Sequence, residues 1–418
     1  MRQANKTSIG AKAGLAFLAV TLVMTGTLAF AQQETILHSF GGSTDGISSG
    51  SGLVFDAAGN LYGTTGRGGA YGGGTVFELS PQPGGGWTEK TLRYLGSGTD
   101  AKAPLGSLVF DADGNLYGTS LEGGAYGEGT VFELFAKPGG GWREQDKILH
   151  SFNNNGQDGY QPWAGPILDS SGNLYGTAVS GGAHGDGVVF QLVKSDGVWV
   201  EKILHNFDGR DGTTPIGGLI FDSSGNLYGT AALGGTSVFY YGTVYELERR
   251  PGGGWSERIL CSFDGPNGDY PEENLIFDTV GNLYGTAQIG GLYAEGVAFE
   301  MTPTGGGVWA QNVIYNFPGG GTFNSSAGYY PSSALIFDTA GNLYGVAGQG
   351  GAYDGGVAFE FVPTGGGSWT ANVLHNFGAS GDGTVPNGNL VFDAAGNLYG
   401  VAALGGAHDA GMVYEITP

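Results

Sequence analysis

The segment Gly-Asn-Leu-Tyr-Gly occurs seven times without change, beginning at Gly59, Gly114, Gly172, Gly225, Gly281, Gly341 and Gly396. The copies stand 55, 58, 53, 56, 60 and 55 residues apart. A unit of this length cannot bury an apolar face alone and must stack on its neighbours, which narrows the fold to a solenoid or a propeller. Four short strands per unit select the propeller. In the first copy, residues 53–55 read as strand a and 56–60 as a tight turn, with Gly59 at the left-handed position. Residues 61–65 read as strand b, 74–79 as strand c and 87–95 as strand d.

The internal spacing is strict. A Gly-Gly pair follows nine residues after each motif begins, from Gly68-Gly69 to Gly405-Gly406. Six copies carry a proline seven residues before the turn aspartate: Pro104, Pro162, Pro215, Pro271, Pro331 and Pro386. The chain stops at Pro418, just past the seventh strand c. The missing seventh strand d is supplied at the other end, where Ile36-Leu37-His38-Ser39-Phe40 matches Ile148-Leu149-His150-Ser151-Phe152. The expected fold is therefore all-β: a seven-bladed propeller of four antiparallel strands per blade, closed by the N-terminal strand, which removes its open edge.

Residues 1–31 stand outside this pattern. Arg2, Lys6 and Lys12 precede an apolar run, and Ala29-Phe30-Ala31 is a small-x-small cleavage site, so a signal peptide cut after Ala31 is expected, with the propeller spanning 32–418. No later stretch has the ~20 apolar residues of a membrane span. The whole chain carries −22, and loss of the leader's three basic residues takes it to −25. This charge argues against nucleic acid and anionic membranes as partners. Cys261 is the only cysteine, so no internal disulfide forms. The 86 glycines do not signal disorder, because 40% of residues are hydrophobic and recur in register.

The repeats resemble those of GloVer-type (choice-of-anchor) tandem-repeat proteins, a group of secreted bacterial proteins. Phe-Asp-x-x-Gly-Asn-Leu-Tyr-Gly-Thr, Gly-Gly-Ala-Tyr-Gly-x-Gly-Thr-Val-Phe-Glu-Leu and Gly-Gly-Gly-Trp carry the resemblance across essentially the whole chain. The a–turn–b hairpin is also similar to NHL-like propeller repeats. The resemblance implies the fold and secretion and brings no catalytic residues. Members often end in a surface-anchoring segment, and this chain ends without one.

Ligands of a propeller sit where d–a and b–c loops converge on one rim. On the b–c loops stand Tyr71, Tyr126, His184, Tyr240, Tyr293, Tyr353 and His408, and on the d–a loops Tyr160, Trp163, Tyr270 and Tyr329. Aromatic rings beside the d–a aspartates (Asp45, Asp100, Asp158, Asp211, Asp269 and Asp382) suit a sugar, whose apolar face stacks while its hydroxyls find acceptors. Packing of each ring on its own loop is the alternative. Glu272, Glu273, Asn274 and Asn389 break the repeat beside the channel. The turn aspartates and the strand-c glutamates read as structural, as do the d-strand histidines His38, His150, His205 and His375.

No catalytic residue, metal ligand set or cofactor is expected. Calcium at the Asp-Gly loops is the one alternative, although none has the dense carboxylate spacing of a dedicated site. The expected function is a secreted, monomeric, non-catalytic propeller that binds a glycan or another extracellular partner. A structural or protein-interaction module of the cell surface, and a polysaccharide-acting lyase or hydrolase, are the alternatives.

Overall fold

The computed structural model describes residues 33–41, 44–318 and 328–417. The expected signal peptide lies outside them. Seven antiparallel blade sheets follow one another among the described residues, the first six with strands a to d in sequence order. Blade 1 comprises Val54–Phe55, Leu61–Thr65, Thr75–Pro81 and Trp87–Tyr94. Strand a is only two residues long in blades 1 to 6, because the chain enters each blade from a loop. Among the described residues there are no helices.

Blade 7 joins the two chain ends. Its strands are Gly383–Phe392, Leu398–Gly405 and Met412–Thr417, and Gln33–Ser39 pairs antiparallel with the last of these. The pairing runs from Gln33 opposite Thr417 to Ser39 opposite Met412, and the Phe40 amide donates to the Gly411 carbonyl at 2.9 Å. The expected closure is the observed one.

Each turn aspartate ties its own hairpin. Asp169 Oδ1 accepts from the Ser171 and Asn173 amides, and Oδ2 accepts from Asn173 Nδ2 and the Tyr175 hydroxyl, all at 2.8–3.0 Å. The repeated tyrosine also reaches strand c: Tyr117, Tyr228, Tyr284 and Tyr344 donate to Glu133, Glu246, Glu300 and Glu360. Gln191 donates to Tyr175 instead, which preserves the link without the charge. With four hydrogen bonds of ~0.5–1.5 kcal/mol net each, Asp169→Ala is expected to cost about 2–6 kcal/mol, read as a lower urea midpoint.

The same tyrosine glues blades together. Tyr62 lies edge-on to Phe110 and Trp142 of the next blade, at 5.2 and 5.7 Å between centroids. Tyr399 of blade 7 meets Phe55 and Trp87 of blade 1 in the same way, so the ring closes. The apolar core divides into seven clusters, each built by two adjacent blades. The strand-d tryptophans are thus inter-blade packing. Gly-Asn-Leu-Tyr-Gly encodes a turn, a buried leucine and a ring that belongs to the neighbour.

Candidate functional site at the channel mouth

The recurring proline builds the mouth. Its Cδ packs on the glycine that opens strand c of the preceding blade, as Pro162 does on Gly129 and Pro271 on Gly242. The residue before each of the six prolines is left-handed, from Ala103 to Val385, as is Ser48 before Ser49 in blade 1, with φ between 54° and 62°. This kink turns the next three residues towards the channel before strand a begins. The first of them, blade by blade, is Gly50, Leu105, Trp163, Ile216, Glu272, Ser332 and Asn387, and all seven line one cavity of about 310 Å³.

That ring is not seven-fold in chemistry. Blades 2, 3 and 4 present Leu105, Trp163 and Ile216, while blades 5, 6 and 7 present Glu272, Ser332 and Asn387. Trp163 keeps 42% of its surface exposed. Among the described residues, the acidic groups lining the mouth both come from blade 5. Glu272 Oε2 accepts from Gln288 Nε2 at 3.2 Å, and Glu273 stands beside it where other blades have serine, glycine or alanine. No hydrogen bond to the Glu273 carboxylate exists among the described residues. Burial pushes the Glu272 carboxyl up to about 7. Burial and the adjacent Glu272 push Glu273 up to about 8. Asn387 Oδ1 is buried at the same mouth without a protein partner among the described residues.

Of the residues expected to bind ligand, the structure brings Trp163 and Glu273 together in this cavity. Asn274 and Asn389 line it too, but their Oδ1 atoms accept from the Gly218 and Ala334 amides of the preceding blade, at 2.6 and 3.1 Å. They stitch blades at the channel. Tyr71, Tyr126, Tyr240, Tyr293 and Tyr353 remain 53–60% exposed on separate b–c loops, and packing does not account for them. His184 and His408 are exposed on blades 3 and 7. Tyr160 packs in the core between blades 2 and 3, Tyr270 is the left-handed residue before Pro271, and Tyr329 lies edge-on to Tyr330.

Five of the six d–a aspartates are placed differently from expectation. Asp45, Asp158, Asp211 and Asp382 accept from the d-strand histidines His38, His150, His205 and His375 at 2.8–3.2 Å, and Asp100 pairs with Arg93. Protein groups already hold them, which reduces what they can offer to sugar hydroxyls. Leu105, Ile216, Ser332, Asn387 and Gln288 were not singled out in the sequence. The available signal was the position after each proline, where the side chain changes from blade to blade inside an otherwise regular repeat.

Among the described residues no helix is long and apolar enough to cross a membrane. No curated protein matches the chain in sequence. Among solved structures, the extracellular domain of a one-component system from B. thetaiotaomicron is similar at 11% identity, with a TM-score of 0.52 over 92% of this chain. The chain spans 40% of that structure, and a likeness at this identity concerns the fold. The Gloeobacter/Verrucomicrobia repeat model matches residues 23–143, 137–322 and 313–418. With seven repeats folded as seven blades and matched along nearly its whole length, the chain belongs to the Gloeobacter/Verrucomicrobia repeat family.

Proposed function

We propose that this is a secreted, non-catalytic binding protein whose channel mouth takes a single sugar unit or the end of a glycan chain. The observation that carries the reading is the division of the mouth into an apolar arc around Trp163 and a polar arc of Glu272, Ser332 and Asn387. A sugar presents the same two chemistries: its C–H face stacks on an indole, and its hydroxyls seek acceptors and donors. A cavity of about 310 Å³ is at the small end for ligand sites and suits one ring rather than an extended chain. The expected leader and the extracellular neighbour support secretion.

Trp163→Ala is expected to weaken glycan binding at least tenfold on an array and by tryptophan fluorescence titration, while Tyr126→Ala leaves it unchanged. Equal affinity of wild type and Trp163→Ala would remove the mouth as the site. One observation favours a second reading. Two carboxyls held protonated near neutral pH are suited to donate a proton to a leaving glycosidic oxygen. Under that reading Glu273→Gln binds the oligosaccharide that wild type consumes; recovery of every oligosaccharide intact rejects it.

A further inference from the structure

The joints between blades repeat one arrangement of side chains. Strand d of one blade offers His38, Arg93, His150, His205 or His375, and the following d–a loop offers an aspartate. Strand d of the next blade offers a carboxylate four residues before its own equivalent of the histidine: Glu89, Asp146, Glu201, Glu257 or Glu34. A β-bulge in strand d omits the residue before the histidine from the ladder, as between Ile148 and His150, and re-aims the side chain that follows. Each histidine ring is also set edge-on against the phenylalanine two residues on, at 4.6 Å for His150–Phe152 and His375–Phe377.

Arg93 shows what this arrangement requires. At the joint of blades 1 and 2 its guanidinium bridges Asp100 at 3.2 Å and Asp146 at 3.0 Å, so two facing carboxylates share a resident cation. At the joint of blades 2 and 3 the arginine is replaced by His150, while Asp158 and Glu201 keep the two carboxylates. Their donor atoms converge within 4.8 Å of one another. The Asp158 side chain is nine-tenths buried, and among the described residues its Oδ1 has no hydrogen-bond partner, nor has Glu201 Oε1. The joint of blades 6 and 7 repeats the set with His375, Asp382 and Glu34, whose Oε1 is also buried without a partner among the described residues. Two carboxyl groups packed against one imidazole crowd like charge in a buried joint, a strain that a shared proton or a bound cation relieves.

We propose that these two joints are divalent metal sites, each formed by one histidine nitrogen and two carboxylate oxygens drawn from three chain segments. The donor set is that of a zinc or manganese centre, with water completing the coordination. Bonds of ~2.1 Å to a tetrahedral zinc place neighbouring ligand atoms about 3.4 Å apart. His150 Nε2 lies 3.2 Å from Asp158 Oδ2 and 3.6 Å from Glu201 Oε1, and His375 Nε2 lies 3.0 Å from Asp382 Oδ2. The donors therefore already stand close to the spacing that a metal needs. An ion here ties adjacent blades as Arg93 does, and at the joint of blades 6 and 7 it also holds the closing strand through Glu34.

Purified protein stripped with EDTA, loaded with zinc chloride and desalted, is expected to retain two zinc equivalents and to melt at a higher temperature than the stripped form. H150R is expected to retain one equivalent while melting no lower than the stripped wild type, because the arginine reproduces the blade 1–2 joint. Asp382→Asn is expected to lose the other equivalent, and the double variant both. Fewer than two equivalents in the wild type, or a stoichiometry that H150R and Asp382→Asn leave unchanged, would overturn the proposal. The second result would also mark the retained zinc as ions on the acidic surface.

Discussion

Deletion of residues 33–39 is expected to abolish cooperative folding or to lower the melting temperature by tens of degrees. Those residues are strand d of blade 7, and they cover the edge of Met412–Thr417 along its length. Their loss removes a ladder of backbone hydrogen bonds worth ~0.5–1.5 kcal/mol each and takes away the strand that holds fully buried Phe40 edge-on against Phe77. With Leu37 gone and Phe40 unanchored, burial worth about 1.5–3 kcal/mol per side chain is lost as well. The total is comparable to the ~5–15 kcal/mol that holds a typical domain folded. The uncovered strand is also a template for another chain, so the truncated protein should elute as oligomers on size exclusion. A peptide of residues 33–41 added in trans should restore part of the melting temperature. If the truncated protein melts within a few degrees of the full chain, the N-terminal strand is not what holds the ring.

The second large effect concerns pH. Several carboxyls are pushed above the ordinary range by burial and then by neighbouring carboxylates: Glu201 to about 9 beside Asp158, Glu34 to about 7 beside Asp382, and Glu257 to about 7 beside Asp211. Glu272 and Glu273 join them at the mouth. A carboxyl whose pKa is higher in the folded than in the unfolded chain favours folding while it is protonated. That stability is full below ~4.3 and is lost as pH rises through the folded value. Metal-free protein should therefore be most stable in mild acid and lose on the order of several kcal/mol between pH 6 and 9. The turn aspartates set the lower limit, because Asp56, Asp169, Asp338 and Asp393 are held below their usual range and lose their contribution in stronger acid. Melts in EDTA at pH 5.5, 7 and 9 test this. Glu201→Gln should flatten the alkaline limb, and a melting temperature that is level or rising towards pH 9 would contradict the account.

What could be read from the chain was what is local. Asp56, Gly59 and Asn60 form a turn through contacts within five residues, so the motif announced itself seven times and each strand followed from its flanks. The identity of the closing strand was also legible, because Ile36-Leu37-His38-Ser39-Phe40 repeats a pattern seen in other blades. The role of Tyr62 was not, since its ring partners Phe110 and Trp142 lie 48 and 80 residues away and belong to another blade.

The candidate site was legible only in part. Trp163 and Glu273 stood out as breaks in the repeat, and the fold set them in one cavity. The regular b–c tyrosines stood out as strongly, yet the same symmetry leaves them exposed on five separate b–c loops, and none of them lines the mouth. His150 illustrates the limit best. Read alone it is one of four equivalent histidines too far apart to share an ion, and that remains true of the four. Its partners are instead Asp158 from the next loop and Glu201 from the next blade. The sequence by itself determined the repeat, the blade count and the closure, because hairpin turns and strand periodicity are short-range. Only the tertiary structure decided which side chains meet at the mouth and in the joints, because seven loops and adjacent blades converge there through contacts that run across the ring.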